Sequence, residues 1–332
     1  MHTARGPRAI VRPSFKLAAL AICATLGLAL VGAPALAKTA PKKPKAPTSS
    51  TKSKAPKSSK KSKTPKINVN TPVTPGSTYL ALGDSVTFGY EEPQVVPPPN
   101  YPDASSFTGF PEVVGSALHL NVVNAACSGE TSSSLIDATA PSNGCESSPG
   151  GGPGYRTRFP LHVNYTGSQL GFAVSYLKKH HSVRLVSLMI GANDFFLCQE
   201  TTADKCASLP EQAAVGATIG NNVKTILSAI RNKAHYGGQI AIVNYYSLDY
   251  SSASTTALSG VLNSTMDNAA KPFHVVIADG FGELQAGSVH SGGNTCKAGL
   301  LTQLSTGTCG IHPSYAGQSL LALAVEKAIR LK

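Results

Sequence analysis

Short apolar runs alternating with amphipathic stretches predict an α/β fold: a three-layer α/β/α sandwich around a five-stranded, mostly parallel sheet. Two observations carry that expectation. Apolar runs of strand length recur at residues 79–82, 122–123, 183–190, 240–243 and 275–278. Continuous apolar runs of this length, without alternation, fit strands covered on both faces. Amphipathic helical patterns lie between and after them, at 110–120, 169–181, 215–234, 257–270 and 316–331. Strand and helix alternating in this order imply parallel pairing with crossover helices on both faces. In such sheets ligands sit at the carboxyl ends of the strands, so chemistry should follow each apolar run.

The domain so defined spans residues 78–332, and what precedes it reads as appendage. The chain has 332 residues, 42% apolar and 14% charged, enough for a sizeable core; disorder throughout and collagen-like repetition are excluded. Residues 1–37 carry Arg5, Arg8, Arg12 and Lys16, then an apolar run, then Ala35-Leu36-Ala37 as a small-x-small cleavage site. That is the pattern of an export signal, and the cleavage site argues against the rival reading, an uncleaved membrane anchor. Residues 38–77 are rich in Lys, Pro, Ser and Thr with no aromatic side chain, and so read as a disordered linker. The formal charge of +12 resolves by segment: +4 in the signal, +11 over residues 38–66, and −3 in the rest. A nucleic-acid-binding domain concentrates Lys and Arg on its folded surface, and this one does not. The lysine-rich tail suits anionic cell-wall polymers or phospholipid, or serves as a solubilising spacer. The expected product is secreted, with wall association through the tail, and monomeric.

Loss of Cys23 with the signal leaves six cysteines, an even number that reads as disulfides in an exported chain. They form three sequence-local couples, which predicts Cys127 with Cys145, Cys198 with Cys206, and Cys296 with Cys309. Zinc, the rival use, needs short C-x-x-C spacing or paired histidines, and neither is present. No metal and no cofactor are expected.

The strand ends carry the chemistry. The first run ends in Gly83-Asp84-Ser85, the second leads to Ser128-Gly129-Glu130-Thr131, and the third ends in Gly191-Ala192-Asn193-Asp194. Gly310-Ile311-His312-Pro313-Ser314 stands just before the last helix. A serine on a sharp strand-to-helix turn is exposed at the sheet edge, but is a weak nucleophile until a neutral imidazole takes its proton. Ser85 and His312 fit those parts. Gly129, by its backbone N–H, and Asn193, by its amide, would stabilise an oxyanion together with the Ser85 N–H. Singly, each has a plainer use: Gly129 as a turn glycine, Asn193 as a helix cap. Asp84 and Asp194 read as capping or supporting carboxylates. Of the other histidines, His290 is the one alternative base; the rest read as surface or packing residues. Tyr245, Tyr246 and Tyr250 and the loops 91–103 and 142–158 are candidates to border the cleft.

These four segments resemble the blocks of the SGNH (GDSL) hydrolase family, over roughly residues 78–332, with a general similarity to secreted actinobacterial esterases and lipases. The resemblance implies a flavodoxin-like SGNH hydrolase fold and a serine hydrolase of carboxylic esters. Its substrate would be a lipid, a short-chain ester or an acetylated polysaccharide. Catalytic Ser85, Gly129, Asn193 and His312 match the family's positions. A catalytically weak surface-binding protein on the same scaffold is the alternative from another class. One position departs from the pattern. The family commonly has an aspartate three residues before the histidine, and here stands Cys309. A main-chain carbonyl near Cys309 or Gly310 is therefore expected to orient His312, with Asp279 second and the Cys296 bridge holding the geometry.

Overall fold

The computed structural model describes residues 71–332, so the export signal and most of the expected linker lie outside the described residues. Five strands form one sheet in the order β2-β1-β3-β4-β5: β1 (Thr78–Gly83), β2 (Asn121–Asn124), β3 (Val183–Met189), β4 (Gln239–Val243) and β5 (Val276–Ala278). Every pairing is parallel. All residues of β1 and β4 are buried, as a sheet covered on both faces requires, whereas the edge strands β2 and β5 are shorter and half-exposed.

The expected helices are all present: α2 (Phe110–Leu118), α5 (Gln169–Lys179), α7 (Leu209–Ser228), α8 (Ala253–Ala270) and α10 (Tyr315–Ala328). Five further helices complete the set: α1 (Ser85–Phe88), α3 (Ser132–Ile136), α4 (Tyr155–Arg158), α6 (Ala192–Thr201) and α9 (Gly280–Ser288). On one face α10 packs against α2 and α9 and onto β4 and β5; on the other α7 packs against α3, α6 and α8. The sequence order reverses across β1, which has β2 on one side and β3 on the other. That switch point is where open α/β sheets bind ligands, and β1 runs directly into Ser85.

Three features bear on the expectations. The disulfides Cys127–Cys145, Cys198–Cys206 and Cys296–Cys309 are all formed. An antiparallel hairpin, β6 (Leu301–Gln303) and β7 (Cys309–Pro313), was not foreseen, because strands this short and polar show no periodicity. The domain also begins earlier than Thr78. Val73 is 2% exposed, its N–H donates to the Arg330 carbonyl at 2.9 Å, and the Thr71 carbonyl accepts from Gln239 Nε2 at 2.9 Å. Composition assigned residues 71–77 to the linker; one buried valine and its backbone pairing attach them to the fold.

That attachment has a measurable stability. Burying one valine contributes about 2 kcal/mol, equivalent to roughly 4–8 °C in a domain of this size. A chain starting at Thr78 should melt lower than one starting at Thr71 by that amount, and equal melting temperatures would show the segment to be passive.

Candidate active site

The turn after β1 is built for one conformation. Gly83 has φ +153°, and a Cβ there would lie 2.4 Å from both the Met189 carbonyl oxygen and Thr87 Oγ1. Asp84 follows as the N-cap of α1, its Oδ1 accepting the Val86 N–H at 3.0 Å. Ser85 thereby becomes the first residue of a one-turn helix, 8% exposed, its N–H donating to no protein acceptor among the described residues.

His312 reaches the same point from β7. Its Nε2 lies 2.9 Å from Ser85 Oγ. Its Nδ1 lies 2.8 Å from Oε1 of Glu92, a carboxylate of the loop 91–103 that no sequence pattern marks. With the Nδ1 proton donated to Glu92, Nε2 is free to accept the serine proton. The same Oε1 accepts the Ile311 N–H at 2.8 Å and the His312 N–H at 3.3 Å, and Thr302 Oγ1 donates to Oε2 at 2.6 Å. Burial alone would push the Glu92 carboxyl up, but the hydrogen bonds from His312 and Thr302 and the imidazole's charge outweigh it and hold the pKa at about 2. Glu92 is thus ionised wherever the imidazole can act as a base.

This corrects the expectation for the imidazole's partner. No main-chain carbonyl near Cys309 or Gly310 meets Nδ1; a carboxylate does, delivered from another segment. A Cβ at Gly310 would sit 2.2 Å from Glu92 Oε1, so the glycine clears the space the carboxylate occupies. Asp279 is committed elsewhere, capping α9 through the Gly282 N–H at 2.9 Å. The Cys296–Cys309 bridge pins the start of β7 and leaves orientation of the ring to Glu92. His290 is exposed in a turn after α9.

The two expected oxyanion donors converge through a third residue. Gly129 has φ +82°, and a Cβ there would meet the Asn143 carbonyl oxygen at 2.5 Å. Its carbonyl accepts the Asn143 N–H at 2.8 Å, while its own N–H meets no protein acceptor among the described residues. Asn193 is the second residue of α6, not its cap; Gly191 holds the cap position. Asn143 Nδ2 donates to Asn193 Oδ1 at 2.9 Å, which turns the Asn193 NH2 group away from Asn143, and that group meets no protein acceptor among the described residues. Asn143 therefore fixes both the loop and the amide orientation, a role that the loop 142–158 gave no pattern to find.

Buried polar side chains brace these loops. Gln169 Oε1 accepts the Gly83 N–H at 2.7 Å, and its Nε2 donates to the Gly83 carbonyl and to Glu130 Oε2, each at 3.0 Å. Asp194 accepts the Ser132 N–H at 2.8 Å, tying α6 to α3. Tyr245 donates to Asp84 Oδ2, and Tyr246 to the Ile311 carbonyl at 2.6 Å. Both tyrosines border the cleft as expected; Tyr250 packs away from it on Phe281. Burial pushes the carboxyls of Asp84 and Asp194 up to about 6 in spite of these donors.

A parallel α/β sheet with a serine, an imidazole and a carboxylate hydrogen-bonded in series at its switch point has the architecture of a hydrolase. The chain matches the GDSL-like lipase/acylhydrolase family over residues 81–320, and it belongs to that family of esterase-type hydrolases. No curated protein matches the chain. Among solved structures it is similar to a GDSL-like lipase of Parabacteroides merdae, with 16% identity over 79% of this chain and 98% of that one and a TM-score of 0.47. It is also similar to the acetylxylan esterase Axe2 of Geobacillus stearothermophilus, with 18% identity over 76% of this chain and 94% of that one and a TM-score of 0.42. At such identities and scores, membership stands on the sequence match and on the site.

Raised carboxyls such as these two make stability depend on pH. Their ordinary value is 3.8, so between about pH 4 and pH 6 the folded chain binds more protons than the unfolded one. Stability should therefore fall as pH rises through that window, by on the order of 2–3 kcal/mol for each group. Thermal melts at stepped pH check the sign, and Asp194→Asn should make the slope shallower. A slope unchanged in that variant would show that Asp194 is already ionised at acid pH.

Proposed function

We propose that this chain is an exported serine esterase that cleaves carboxylic esters through an acyl-enzyme on Ser85. The observation that carries the reading is the unbroken series Ser85 Oγ, His312 Nε2, His312 Nδ1 and Glu92 Oε1, with 2.9 and 2.8 Å between partners. As Ser85 Oγ attacks the ester carbonyl carbon, its proton passes to His312 Nε2, and Glu92 stabilises the imidazolium that forms. Negative charge collects on the former carbonyl oxygen, where the Ser85 N–H, the Gly129 N–H and the Asn193 amide can donate to it. Collapse breaks the bond to the alcohol oxygen, which leaves with the proton from Nε2. Water then repeats the sequence in reverse roles: it gives its proton to Nε2, attacks the acyl carbon, and the proton returns to Ser85 Oγ as the acid departs.

Export is supported by the basic, apolar and small-residue order of residues 1–37 and by three disulfides, which persist in oxidising compartments. The lysines of residues 38–66 suit attachment to anionic wall polymers or phospholipid at that destination.

Ser85→Ala should abolish covalent labelling by an organophosphate, and label found on that variant at any other residue would remove the assigned nucleophile. Asn193→Ala should lower kcat by roughly 10² to 10³ with little change in KM, because its NH2 group donates only to the developing oxyanion.

The newly found carboxylate has its own test. Glu92→Gln keeps the shape but can present an NH2 group to Nδ1, favouring the tautomer that puts the proton on Nε2. A fall in kcat of about 10² or more is expected, with KM little changed. Full activity in the folded variant would mean that the backbone holds His312 without help.

A further inference from the structure

Beside Ser85 lies a cavity of about 150 Å³, bounded by α6 and α8 and by the segment that follows β4. The surface it presents is overwhelmingly apolar, although Ser85, Asn193, Gln199, Thr255, Ser259 and His312 also line it. Phe195, Leu262 and Val86 form a floor, each no more than 6% exposed, and Leu248, Leu258 and Ile311 form a rim that is 38–43% exposed. Asn193 lies in its wall two residues before Phe195, so the pocket adjoins the oxyanion position.

We infer that this cavity is an acyl-chain pocket, and that the enzyme's preferred substrates are esters of straight-chain acids of about six carbons rather than acetyl esters. The inference rests on the esterase reading and adds the substrate class. Size is the first argument. A cavity of about 150 Å³ lined by Leu, Ile and Phe takes a guest the size of benzene, about six carbons. An acetyl methyl would leave most of that volume empty, and unfilled apolar lining forfeits its contacts.

The second argument decides between the two halves of the ester. The alcohol leaves beside His312 Nε2, and the water of the second step must enter by the same position. A water path needs polar partners, and the hydroxyls of Tyr245, Tyr246, Thr255 and Ser259 in this lining already donate to protein acceptors. The group that stays bound through both steps is the acyl chain, and a pocket with an apolar surface suits it.

A series of p-nitrophenyl esters from acetate to dodecanoate, with a parallel series of alkyl acetates, tests this. kcat/KM should rise about fourfold for each added acyl methylene, the kinetic equivalent of burying it, and then level off or fall beyond about six carbons. The alkyl acetates should show little dependence on alcohol length. Leu258→Trp fills the rim from an exposed helix position and should lower the hexanoate-to-acetate ratio about tenfold. Phe196→Ala widens the wall from another helix and should move the optimum to longer chains, so a failure of either variant to fold leaves the other as a test. A rate that is flat or highest for acetate, or that follows alcohol length instead, in an enzyme that labels at Ser85, would overturn the pocket and leave the esterase standing. Absence of turnover on every ester together with absence of label at Ser85 would overturn both.

Discussion

The carboxylate of Glu92 is the constraint on which the site's geometry depends. It accepts from the imidazole, from two backbone N–H groups of β7 and from the Thr302 hydroxyl of β6. One side chain thus fixes the ring, the hairpin that carries it, and the loop from which it comes. Hydrogen bonds to an ionised acceptor are about twice as strong as neutral ones, so charge and position reinforce each other here. A half-buried carboxylate without these donors would raise its pKa and lose the charge that holds the imidazole. Function and local folding share the same four bonds.

A second set of contacts performs the same service for the serine and its oxyanion donors without using charge on the reacting atoms. Gln169 joins Gly83, at the end of β1, to Glu130, the residue after Gly129. Asn143 joins the Gly129 carbonyl to the Asn193 side chain. Asp194 joins α6 to the start of α3. The three donors sit at the start of α1, in the loop after β2 and at the start of α6, and the loops that lead to them are ordinarily the mobile parts of such a sheet. Side-chain amides reaching across at 2.7–3.0 Å hold those loops in one arrangement, so the donors need little reorganisation when charge develops. The Cys127–Cys145 bridge brackets the same region covalently.

What the sequence made legible follows from periodicity and from strand-end logic. All five strands and the five expected amphipathic helices announce themselves by runs of buried side chains, and Ser85, Gly129, Asn193 and His312 follow because chemistry collects where parallel strands end. Glu92 escaped because it belongs to an irregular, Pro-rich loop, where a pair of glutamates looks like solvated surface. A signal was present in the sequence all the same. Cys309 stands where a carboxylate was expected, Gly310 follows it, and Glu92 lies only seven residues after Ser85. Asn143 and Gln169 escaped for a different reason: their partners are backbone groups and amides in distant segments, and no spacing rule connects them. The boundary at residue 78 was misplaced because composition averages over a window, while attachment of residues 71–77 depends on a single buried valine.

Relocation of the carboxylate also changes what the third disulfide does. Were His312 oriented by a neutral carbonyl of its own strand, the Cys296–Cys309 bridge would have to hold that carbonyl in place, and the imidazolium would lack a counter-charge. With Glu92 present, the charge comes from a segment covalently remote from the bridge, and the bridge restrains only the outer end of β7. The two devices are nearly independent: one sets the ring's orientation and protonation, the other the path of the chain leading to it. A cysteine is tolerated at the usual position of the aspartate because the orienting charge arrives from the opposite direction, across the space that Gly310 leaves open.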